Sequence, residues 1–389
     1  MICVNLFIRH VKVYTTPIGY KTVKRTAHAG QCGIRCQRGP APSRYGGILT
    51  AAKPATIEDV ALIAGVSIAT VSRTLNEPGK VADSTRRRVI EAVAQTGYTT
   101  NAMARNLRTR RSQMILILAP DVGDPNFSNI LVGLETGASK RGYGVLIGNT
   151  QNDPEREADY LRFIASNQAD GIILLTGHMP FGLADNLPSI PLPPMVAINE
   201  PIANAAIPFV GVDNIEGARV ATDHLISQGH RDIAFIGQSP GRTVALLREK
   251  GFRTAMQAAN LPVDPRFVLE ADGTTESGRA AAERMFVRDR LPTAFCCVND
   301  ATALGVIIAL SARGYDLPRD FSIMGFDDIS FASFVTPSLT TMKQPRLQIG
   351  EASMDLLLAM LEGEPPAGRE ILLRSELILR NSVALRRPA

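Results

Sequence analysis

The sequence predicts an α/β protein in which a small all-helical module precedes a larger, doubly wound α/β body. The length of 389 residues is sufficient for two or three domains. Residues 1–113 contain 18 Lys and Arg against 5 Asp and Glu, whereas residues 114–389 contain 24 against 32. From Met114 onward, short apolar runs alternate with amphipathic segments. A basic helical front end on an acidic body is typical of a module that contacts a phosphate backbone.

Residues 54–99 contain the start and stop signals of three short helices. Thr56, with Asp59 three residues later, forms a variant of the capping box that begins the first helix. Gly65 ends this helix, and Ser67 can cap a second helix that runs through Leu75. A third helix fits residues 83–95 and ends at Gly97. The side chains predicted to face inward are Val60, Ala61, Ile63, Ala64, Val89, Ile90 and Val93.

A helix, a turn with glycine and a second helix make up the helix-turn-helix pattern. In that motif the second helix enters the major groove of DNA. Arg73 can bind guanine through two hydrogen bonds. The same helix and its start also carry short polar side chains that can donate hydrogen bonds to phosphate oxygens. They are Ser67, Thr70, Ser72 and Asn76. The spacing alone is also compatible with a three-helix packing module that binds nothing.

Two basic segments flank this module. Residues 1–53 contain no Asp or Glu and no sustained period, so we expect a disordered extension; a mis-assigned translation start would give the same pattern. Residues 100–113 are basic and weakly helical. We expect them to be a hinge helix that folds on binding DNA, with a plain linker as the alternative.

The body, residues 114–389, alternates predicted strands with predicted helices. The strands are 114–119, 145–148, 171–175, 195–199, 209–212, 233–236, 294–298 and 322–326. The helices are 126–141, 154–167, 216–228, 245–259, 276–288 and 301–313. Apolar strands that alternate with helices predict a doubly wound parallel sheet with helices on both faces. The body is long for one such domain, so we expect two lobes with a cleft between them.

Polar side chains follow the ends of these strands, where ligands bind in parallel sheets. They are Asp121, Asp124, Asn149, Asn199, Asn299, Asp300, Asp327 and Asp328. Amides and carboxylates that converge on one cleft suit a polyhydroxylated ligand. For any single one of them, and for Asp300 and Asp328 above all, the alternative is that it caps a helix N-terminus.

Several function classes find no support. The sequence has no phosphate-binding loop, no His-Glu-x-x-His and no Gly-x-Ser-x-Gly, and its five His show no ligand spacing. Five cysteines, an odd number, do not organise a disulfide framework, and Cys296 and Cys297 lie in an apolar run. No apolar stretch is long enough to span a membrane, and no signal peptide is evident. We therefore expect no catalysis, no cofactor, no metal and no membrane partner, and a cytoplasmic protein.

Residues 56–61 and 65–76 closely resemble the DNA-reading start of the lactose/galactose repressor (LacI/GalR) family. The resemblance continues through residues 97–98, 104–107, 229–233, 299–300, 325–328 and 337–341. It covers about residues 55–385, and a string of ordered motifs of this kind is very specific.

This resemblance implies a transcriptional regulator, most often a repressor, with a periplasmic-binding-protein-like (type I) effector domain of two lobes. Ile68, Ala69 and Arg73 would read bases, and Leu107 would wedge into the minor groove of operator DNA. The DNA-binding positions that it implies are Thr56, Ser67, Ile68, Ala69, Thr70, Ser72, Arg73, Asn76, Ala104, Arg105 and Leu107. A sugar or nucleoside effector would alter lobe closure and thereby the hinge helices. Its implied contacts are Asp121, Asn126, Phe127, Asn199, Arg248, Asn299, Asp327 and Gln344.

The chain departs from the family at two places. Gly273 stands where several relatives have an aromatic residue that stacks on the effector, which weakens the case for a nucleoside. The chain ends without the leucine heptads that make the lactose repressor a tetramer, so a homodimer is expected. The alternative function, a solute-binding protein of a transport system, would share the two lobes but has no use for residues 56–111.

Overall fold

The structure is a computed structural model that describes residues 55–98, 111–181, 183, 192–202, 205–239, 241–287, 289–365 and 368–386, and the backbone of 11–13. These residues fall into two compact units. One contains residues 55–98, and the other contains residues 11–13 and everything from 111 onward. Residues 100–110 of the predicted hinge, with Ala104, Arg105 and Leu107, lie outside the described residues, as does nearly all of the predicted extension.

The first unit is all helical, and its helices begin and end close to the predicted positions. Its helices are α1 (Ile57–Ala64), α2 (Ile68–Asn76) and α3 (Asp83–Thr96), with a 3-10 turn at Pro78–Lys80. Thr56 and Asp59 form the complete capping box at the start of α1. Gly65 ends α1 with a φ of 63°, a left-handed conformation that favours glycine. The buried core consists of Val60, Ala61, Ala64, Val71, Val89 and Ala92.

Two side chains predicted to face this core are exposed. Ile63 is 52% exposed and Ile90 is 55% exposed, so both predictions were wrong. On a helix with 3.6 residues per turn, each lies roughly 100° from the centre of the buried stripe of its helix. The buried stripes are narrow because three short helices enclose a small core.

The second unit has two lobes, each built on one sheet. The first sheet has the strand order β1-β3-β2-β4-β5-β6-β12, and all its described pairings are parallel. Its strands are β1 (Val11–Val13), β2 (Met114–Ala119), β3 (Gly144–Asn149), β4 (Gly171–Leu174), β5 (Met195–Ile198), β6 (Phe209–Val212) and β12 (Glu370–Leu373). The helices of this lobe are α4 (Pro125–Lys140), α5 (Pro154–Ala165) and α10 (Arg346–Leu361).

The second sheet has the order β13-β11-β10-β9-β7-β8. Its strands are β7 (Ile233–Gln238), β8 (Val268–Glu270), β9 (Ala294–Cys297), β10 (Ser322–Asp327), β11 (Thr340–Lys343) and β13 (Glu376–Ile378), of which only β13 pairs antiparallel. Its helices are α6 (Asn214–Ser227), α7 (Thr243–Ala258), α8 (Thr275–Met285) and α9 (Asp300–Ala312). The chain passes between the lobes after β6, after β11 and after β12.

The predicted α/β alternation is confirmed, with bounds that agree to within three residues. Besides β1, four strands (β8, β11, β12 and β13) and helix α10 were not predicted. The strands have three or four residues each, too short for a clear hydrophobic period. The edge strand β1 lies in the segment predicted to be disordered, and its backbone pairs with residues 145–147 of β3. Within the described ranges, no helix is long and apolar enough to cross a membrane.

The central strands β4, β5, β6, β9 and β10 are buried on both faces, as is usual for parallel strands in this architecture. Ile115, Ile117, Val145 and Ile173 lie in one core with α4 and α10, while Leu116 and Ile172 lie in another with α5. Cys296 and Cys297 are both free and buried in the second lobe, which confirms their prediction as core residues.

A buried histidine joins the C-terminal segment to the second lobe. The ring nitrogens of His230 lie 2.9 Å from Thr293 Oγ1 and 2.9 Å from Ser322 Oγ, and Nε2 is also 3.2 Å from the Ala384 carbonyl oxygen. His230 is 3% exposed. The pKa of His230 is lowered from 6.5 to about 4, chiefly by burial; the Ala384 carbonyl opposes this shift, and Arg386 and Arg231 contribute to it.

We predict that His230 makes the unfolding free energy pH-dependent. The unfolded imidazole gains its proton near pH 6.5 and the folded one only near pH 4. Protons therefore favour the unfolded chain, and stability is lost as the pH falls between these values. Urea unfolding should show a larger drop in midpoint from pH 7.5 to pH 5 for the native chain than for His230→Gln. Equal drops in both proteins would contradict this role.

Candidate functional site

Helix α2 and its N-cap present a row of side chains to solvent. Ser67, Ile68, Ala69, Arg73 and Asn76 are exposed, whereas Thr56, Thr70 and Ser72 are half-buried. All eight are positions that the sequence predicted to contact DNA. The N-terminal residues of the second helix are the ones that meet base edges in a helix-turn-helix.

Local hydrogen bonds order this row. The Thr70 amide donates to Ser67 Oγ at 3.2 Å, and Asn76 Nδ2 donates to the Ser72 carbonyl oxygen at 2.7 Å. Arg73 forms no ion pair with any described acidic residue, so its guanidinium is not neutralised from within the part of the unit that the structure describes. A charged, uncommitted arginine beside exposed small residues can approach a base edge without first losing a partner.

A cleft lies at the carboxyl ends of the two sheets of the second unit. It contains a cavity of about 310 Å³ toward the first lobe and a narrower one of about 80 Å³ toward the second lobe. The two cavities share Asp124, Asn126, Asn199, Glu200 and Arg242 in their walls, which makes them one continuous site.

The cleft lies at the topological switch point of each sheet. In the first sheet the chain moves from β2 to β3 on one side and to β4 on the other, and Asp121 and Thr176 follow β2 and β4. In the second sheet β7 has β8 on one side and β9 on the other, and Ser239 and Asn299 follow β7 and β9. Switch points leave a crevice between loops that diverge, which is where open α/β sheets bind ligands.

A buried ion pair forms the floor of the cleft. Arg248 Nη2 lies 3.4 Å from Asp327 Oδ1, and the two side chains are 6% and 10% exposed. The Arg248 guanidinium also donates to Asn214 Oδ1 at 2.9 Å and to the Val298 carbonyl oxygen at 2.5 Å, and it stacks 3.6 Å above the Phe326 ring. Burial lowers the pKa of Arg248, while Asp327 opposes this shift. Three of its five N–H donors are thus committed, which leaves two for a ligand.

Asp327 is held from the first lobe as well. Gln344 Nε2 donates to Asp327 Oδ1 at 2.5 Å, and Arg346 Nη1 donates to the Asp327 carbonyl oxygen at 2.6 Å. Burial raises the pKa of Asp327, and Arg248 counteracts this. The backbone of Asp327 has a φ of 119° and that of Asn199 a φ of 65°. Left-handed conformations are costly for residues with a Cβ and cluster at functional sites.

The alternative capping roles of Asp300 and Asp328 were wrong. Asn299 is the residue that caps α9, by accepting from the Thr302 amide at 2.8 Å. Asp300 instead accepts hydrogen bonds from Thr341 Oγ1 and the Ile329 amide, and burial raises its pKa to about 8. Asp328 accepts from Arg380 at 2.6 Å. Neither carboxylate lines the cleft, because each is used to join neighbouring segments.

The structure brings seven of the eight predicted effector residues together in the cleft walls. They are Asp121, Asn126, Phe127, Asn199, Arg248, Asn299 and Asp327. Gln344 does not line the cleft and acts on it through Asp327. Asn149 does not line it either, and its Oδ1 has no hydrogen-bond partner among the described residues.

Several wall residues were missed. Glu200 accepts from the Val244 amide at 2.8 Å and so connects the lobes, and Arg242 Nη2 lies 3.8 Å from Glu200 Oε2. His178 lines the larger cavity and places Nε2 3.0 Å from Oε1 of Glu157, which is fully buried. Glu200 directly follows Asn199 at a strand end, a signal that could have found it. The loops that carry His178 and Arg242 have no sequence period that reports their position.

Comparison with known proteins agrees with this geometry. The model of bacterial regulatory proteins of the lacI family matches residues 56–101, and that of the periplasmic binding protein-like domain matches residues 222–383. The HTH-type transcriptional repressor CytR of Escherichia coli (strain K12) is 38% identical over 328 residues, which are 84% of this chain and 96% of that protein. The HTH-type transcriptional repressor PurR of Haemophilus influenzae (strain PittEE) is 36% identical over 334 residues, 85% of this chain and 98% of that protein.

The chain belongs to the LacI family of bacterial regulatory proteins. Two solved structures of this kind are similar over most of the chain. The Lac repressor dimer bound to operator and an anti-inducer has a TM-score of 0.75 at 26% identity, with 85% of this chain and all of that one covered. A complex of the transcriptional regulator CelR with cellobiose has a TM-score of 0.64 at 29% identity and covers 84% and 99%. The predicted family and fold class are therefore confirmed.

We predict that removing one partner of the buried ion pair destabilises this LacI-family protein. Arg248→Met leaves the Asp327 carboxylate buried without its cation, which should lower the free energy of unfolding by about 3 kcal/mol. Urea unfolding is the measurement. Adding Asp327→Asn to this variant should recover part of the loss, because the uncompensated charge is then gone.

The matched control is Arg219→Met. Arg219 pairs with Glu216 and Asp223 on the solvent face of α6, where screening makes ion pairs weak. Its urea midpoint should stay near that of the native chain. Equal losses in the Arg248 and Arg219 variants would contradict the structural role assigned to the buried pair.

Proposed function

We propose that this LacI-family chain is a transcriptional repressor whose affinity for operator DNA is controlled by an uncharged, polyhydroxylated small molecule in the cleft. The observation that carries the proposal is the convergence of seven polar and apolar positions, from segments far apart in sequence, on one cavity of about 310 Å³ and its narrower extension. A cavity of this size suits a ligand of sugar or nucleoside dimensions.

The DNA-reading surface is assigned to the exposed start of α2. Arg73 would read guanine, Ile68 and Ala69 would contact base edges, and the neighbouring hydroxyl and amide groups would bind phosphates. Leu107, with Ala104 and Arg105, would act in the minor groove. Because the Lac repressor neighbour is a dimer bound to operator, we propose that this chain binds a two-fold operator as a homodimer.

The charges of the cleft favour a ligand without phosphate. Its described walls contain five carboxylates against two guanidiniums. The acids are Asp121, Asp124, Glu200, Asp272 and Asp327, and the bases are Arg242 and Arg248. Arg248 is committed to Asp327, and Arg242 is near Glu200. An anionic ligand would therefore meet repulsion with little compensation.

The scarcity of stacking faces favours a sugar over a nucleoside. Among the described wall residues, Phe127 and His178 are the only ones with aromatic rings. Gly273 lies in the wall with a φ of 94°, a conformation that a residue with a side chain adopts only with strain. A purine or pyrimidine would therefore gain no stacking partner from this segment of the wall. The CelR neighbour was solved with cellobiose, which supports a carbohydrate here.

Two other functions fit less well. A solute-binding role in transport would leave the helix-turn-helix unit without a purpose, and the relatives are repressors. We assign no catalytic role to the cleft, because its carboxylates are engaged with arginine, amide and backbone partners. A regulator of this kind acts in the cytoplasm, where operator DNA is accessible.

We predict that Arg73→Ala relaxes sequence preference. Operators selected from random duplexes with the native chain should lose discrimination at one guanine per half-site, by about 1–3 kcal/mol, because the bidentate contact is absent. Binding to a series of base-substituted operators measures this. Arg87→Ala, on the exposed face of α3, is the control and should keep the preference. Unchanged preference in Arg73→Ala would refute its reading role.

We predict that free sugars, and not nucleosides or phosphorylated sugars, stabilise the protein. A panel of D-ribose, D-glucose, cellobiose, cytidine, adenosine and D-ribose 5-phosphate can be screened by thermal shift. A ligand at a hundred times its Kd adds about 2.7 kcal/mol to the folded state, which gives a readable shift. Stabilisation by D-ribose 5-phosphate would contradict the charge argument, and stabilisation by nucleosides alone would contradict the stacking argument.

A further inference from the structure

Three of the edges of the two sheets are protected against unwanted strand pairing. An edge strand presents unpaired backbone N–H and C=O groups, and proteins guard such edges by keeping them short, charged or bulged. Strands β8, β12 and β13 have three or four residues each, and each of them contains a glutamate. The pairing of β8 with β7 also contains a register shift. These three edges therefore offer little to another strand.

Strand β3 has none of these protections. It would be the edge of the first sheet if β1 were removed. Its residues, Gly144–Asn149, include no charged residue and no proline, and their register with β2 advances without a shift. Six residues of strand extend for about 20 Å. An edge that is long, regular and uncharged readily accepts another strand, so the outer side of β3 requires an occupant.

Alternate residues of β3 direct their backbone groups toward this outer side. In a parallel strand, the N–H and C=O groups of one residue point to the same neighbouring strand, and those of the next residue point the opposite way. The Gly144 amide donates to the Gln113 carbonyl oxygen at 2.8 Å, on the side of β2. Leu146, two residues further along, faces β2 as well. Val145 and Ile147 therefore face outward.

Strand β1 lies against these outward groups. It pairs parallel with β3, with Val11 opposite Val145 and Val13 opposite Ile147. This register places Lys12 between the two outward residues. In the bonding pattern of parallel strands, the Lys12 amide then donates to the Val145 carbonyl oxygen, and the Ile147 amide donates to the Lys12 carbonyl oxygen. Lys12 is thus the residue of β1 whose backbone holds the pair together.

The sequence of β1 suits an edge position. Valine, at two of its three positions, is favoured in strands, and a lysine on the outermost strand discourages further pairing. A strand of three residues has little stability of its own, so its docking depends on a high local concentration. Residues 11–13 belong to the same chain as β3, and this covalent connection supplies that concentration.

We propose that the outer edge of β3 is a strand-docking site and that residues 11–13 of the same chain are its occupant. The docked strand covers the one described sheet edge that is neither short nor charged. It also closes a loop of chain over residues 14–110, which contains the helix-turn-helix unit. The chain then connects this unit to the first lobe from both of its ends. The inference does not depend on the proposed function.

Hydrogen exchange of the Ile147 amide in the full chain tests the docking. Lys12→Pro removes the amide that donates to Val145 and should release β1 from the edge. Exchange of the Ile147 amide should then accelerate about tenfold, because its acceptor is gone. The Leu146 amide, which is directed toward β2, should keep its rate. An unchanged Ile147 rate, or equal acceleration of Leu146, would overturn the proposal.

The matched control is Val11→Pro. The Val11 amide points away from β3, and proline is tolerated in an edge strand where the missing N–H would face solvent. This variant should therefore keep the slow exchange of Ile147. If Val11→Pro and Lys12→Pro accelerate that exchange alike, the pairing in this register is excluded, and the proposal with it.

Cross-linking distinguishes a strand of the same chain from one supplied by a second copy. Neighbouring strands are about 4.8 Å apart, which is within the Cα separation that a disulfide can span. Ser first replaces the three cysteines of residues 1–53. The other two, Cys296 and Cys297, are buried. In this background Val13→Cys with Ile147→Cys should form a disulfide on mild oxidation and migrate as a monomer on a denaturing gel.

The control for cross-linking combines Val13→Cys with Leu379→Cys. Leu379 is 63% exposed and belongs to the second lobe. An undocked segment would reach either cysteine, whereas a docked strand reaches the one at position 147. Equal yields for the two pairs, or no disulfide at position 147, would contradict the docking. A product of dimer size would show that the strand comes from a second copy, which would also overturn the proposal.

Discussion

The buried pair of Arg248 and Asp327 is the interaction on which the cleft depends. A guanidinium and a carboxylate removed from water are stable only when hydrogen bonds satisfy most of their remaining atoms. Here those bonds come from Asn214, Val298 and Gln344, which lie on three different segments. The polar floor of the cleft is therefore also what holds these segments in register.

The same pair makes the cleft sensitive to the position of the lobes. Arg248 and Asp327 belong to the second lobe, whereas Gln344 and Arg346 lie where the chain re-enters the first. Glu200 of the first lobe in turn accepts from the Val244 amide of the second. Polar contacts across a hinge are directional and short in range, so modest rotation exchanges one set for another. A ligand that supplies its own hydroxyl groups can select between these arrangements.

Much of this architecture follows from the sequence, and the exceptions have physical causes. Continuous apolar runs such as residues 114–119 specify buried strands, and the polar residues directly after them mark the cleft edge. Ile63 and Ile90 were predicted to lie on the apolar faces of their helices, but the narrow buried stripe of a short helix leaves them exposed. Helix α10 has apolar residues around most of its circumference, including Leu356, Leu357 and Leu358, because it packs on several sides, and so it has no amphipathic period.

The detailed contacts of the cleft depend on tertiary structure and cannot be predicted from local sequence. Nothing local places Arg346 against carbonyl oxygens of a strand almost twenty positions earlier, or Glu157 against His178. The left-handed backbone of Asp327 and Asn199 has only a weak signature in residue type, since Asp and Asn adopt it more often than other non-glycine residues but do so in few of their positions. The strand ends therefore predict from sequence where the site lies. Its ion pairs and the contacts between the lobes can be identified only from the three-dimensional structure.

The way the chain passes between the lobes has an evolutionary consequence. Each lobe is assembled from separated stretches, since β12 returns to the first sheet after β7 to β11 have completed most of the second. Neither lobe can thus be exchanged by a single recombination event without breaking the other. The helical unit of residues 55–98 is one contiguous stretch with its own core. Genes of this design can acquire a new DNA reader by shuffling, whereas a new ligand preference must accumulate through point substitutions in the cleft wall.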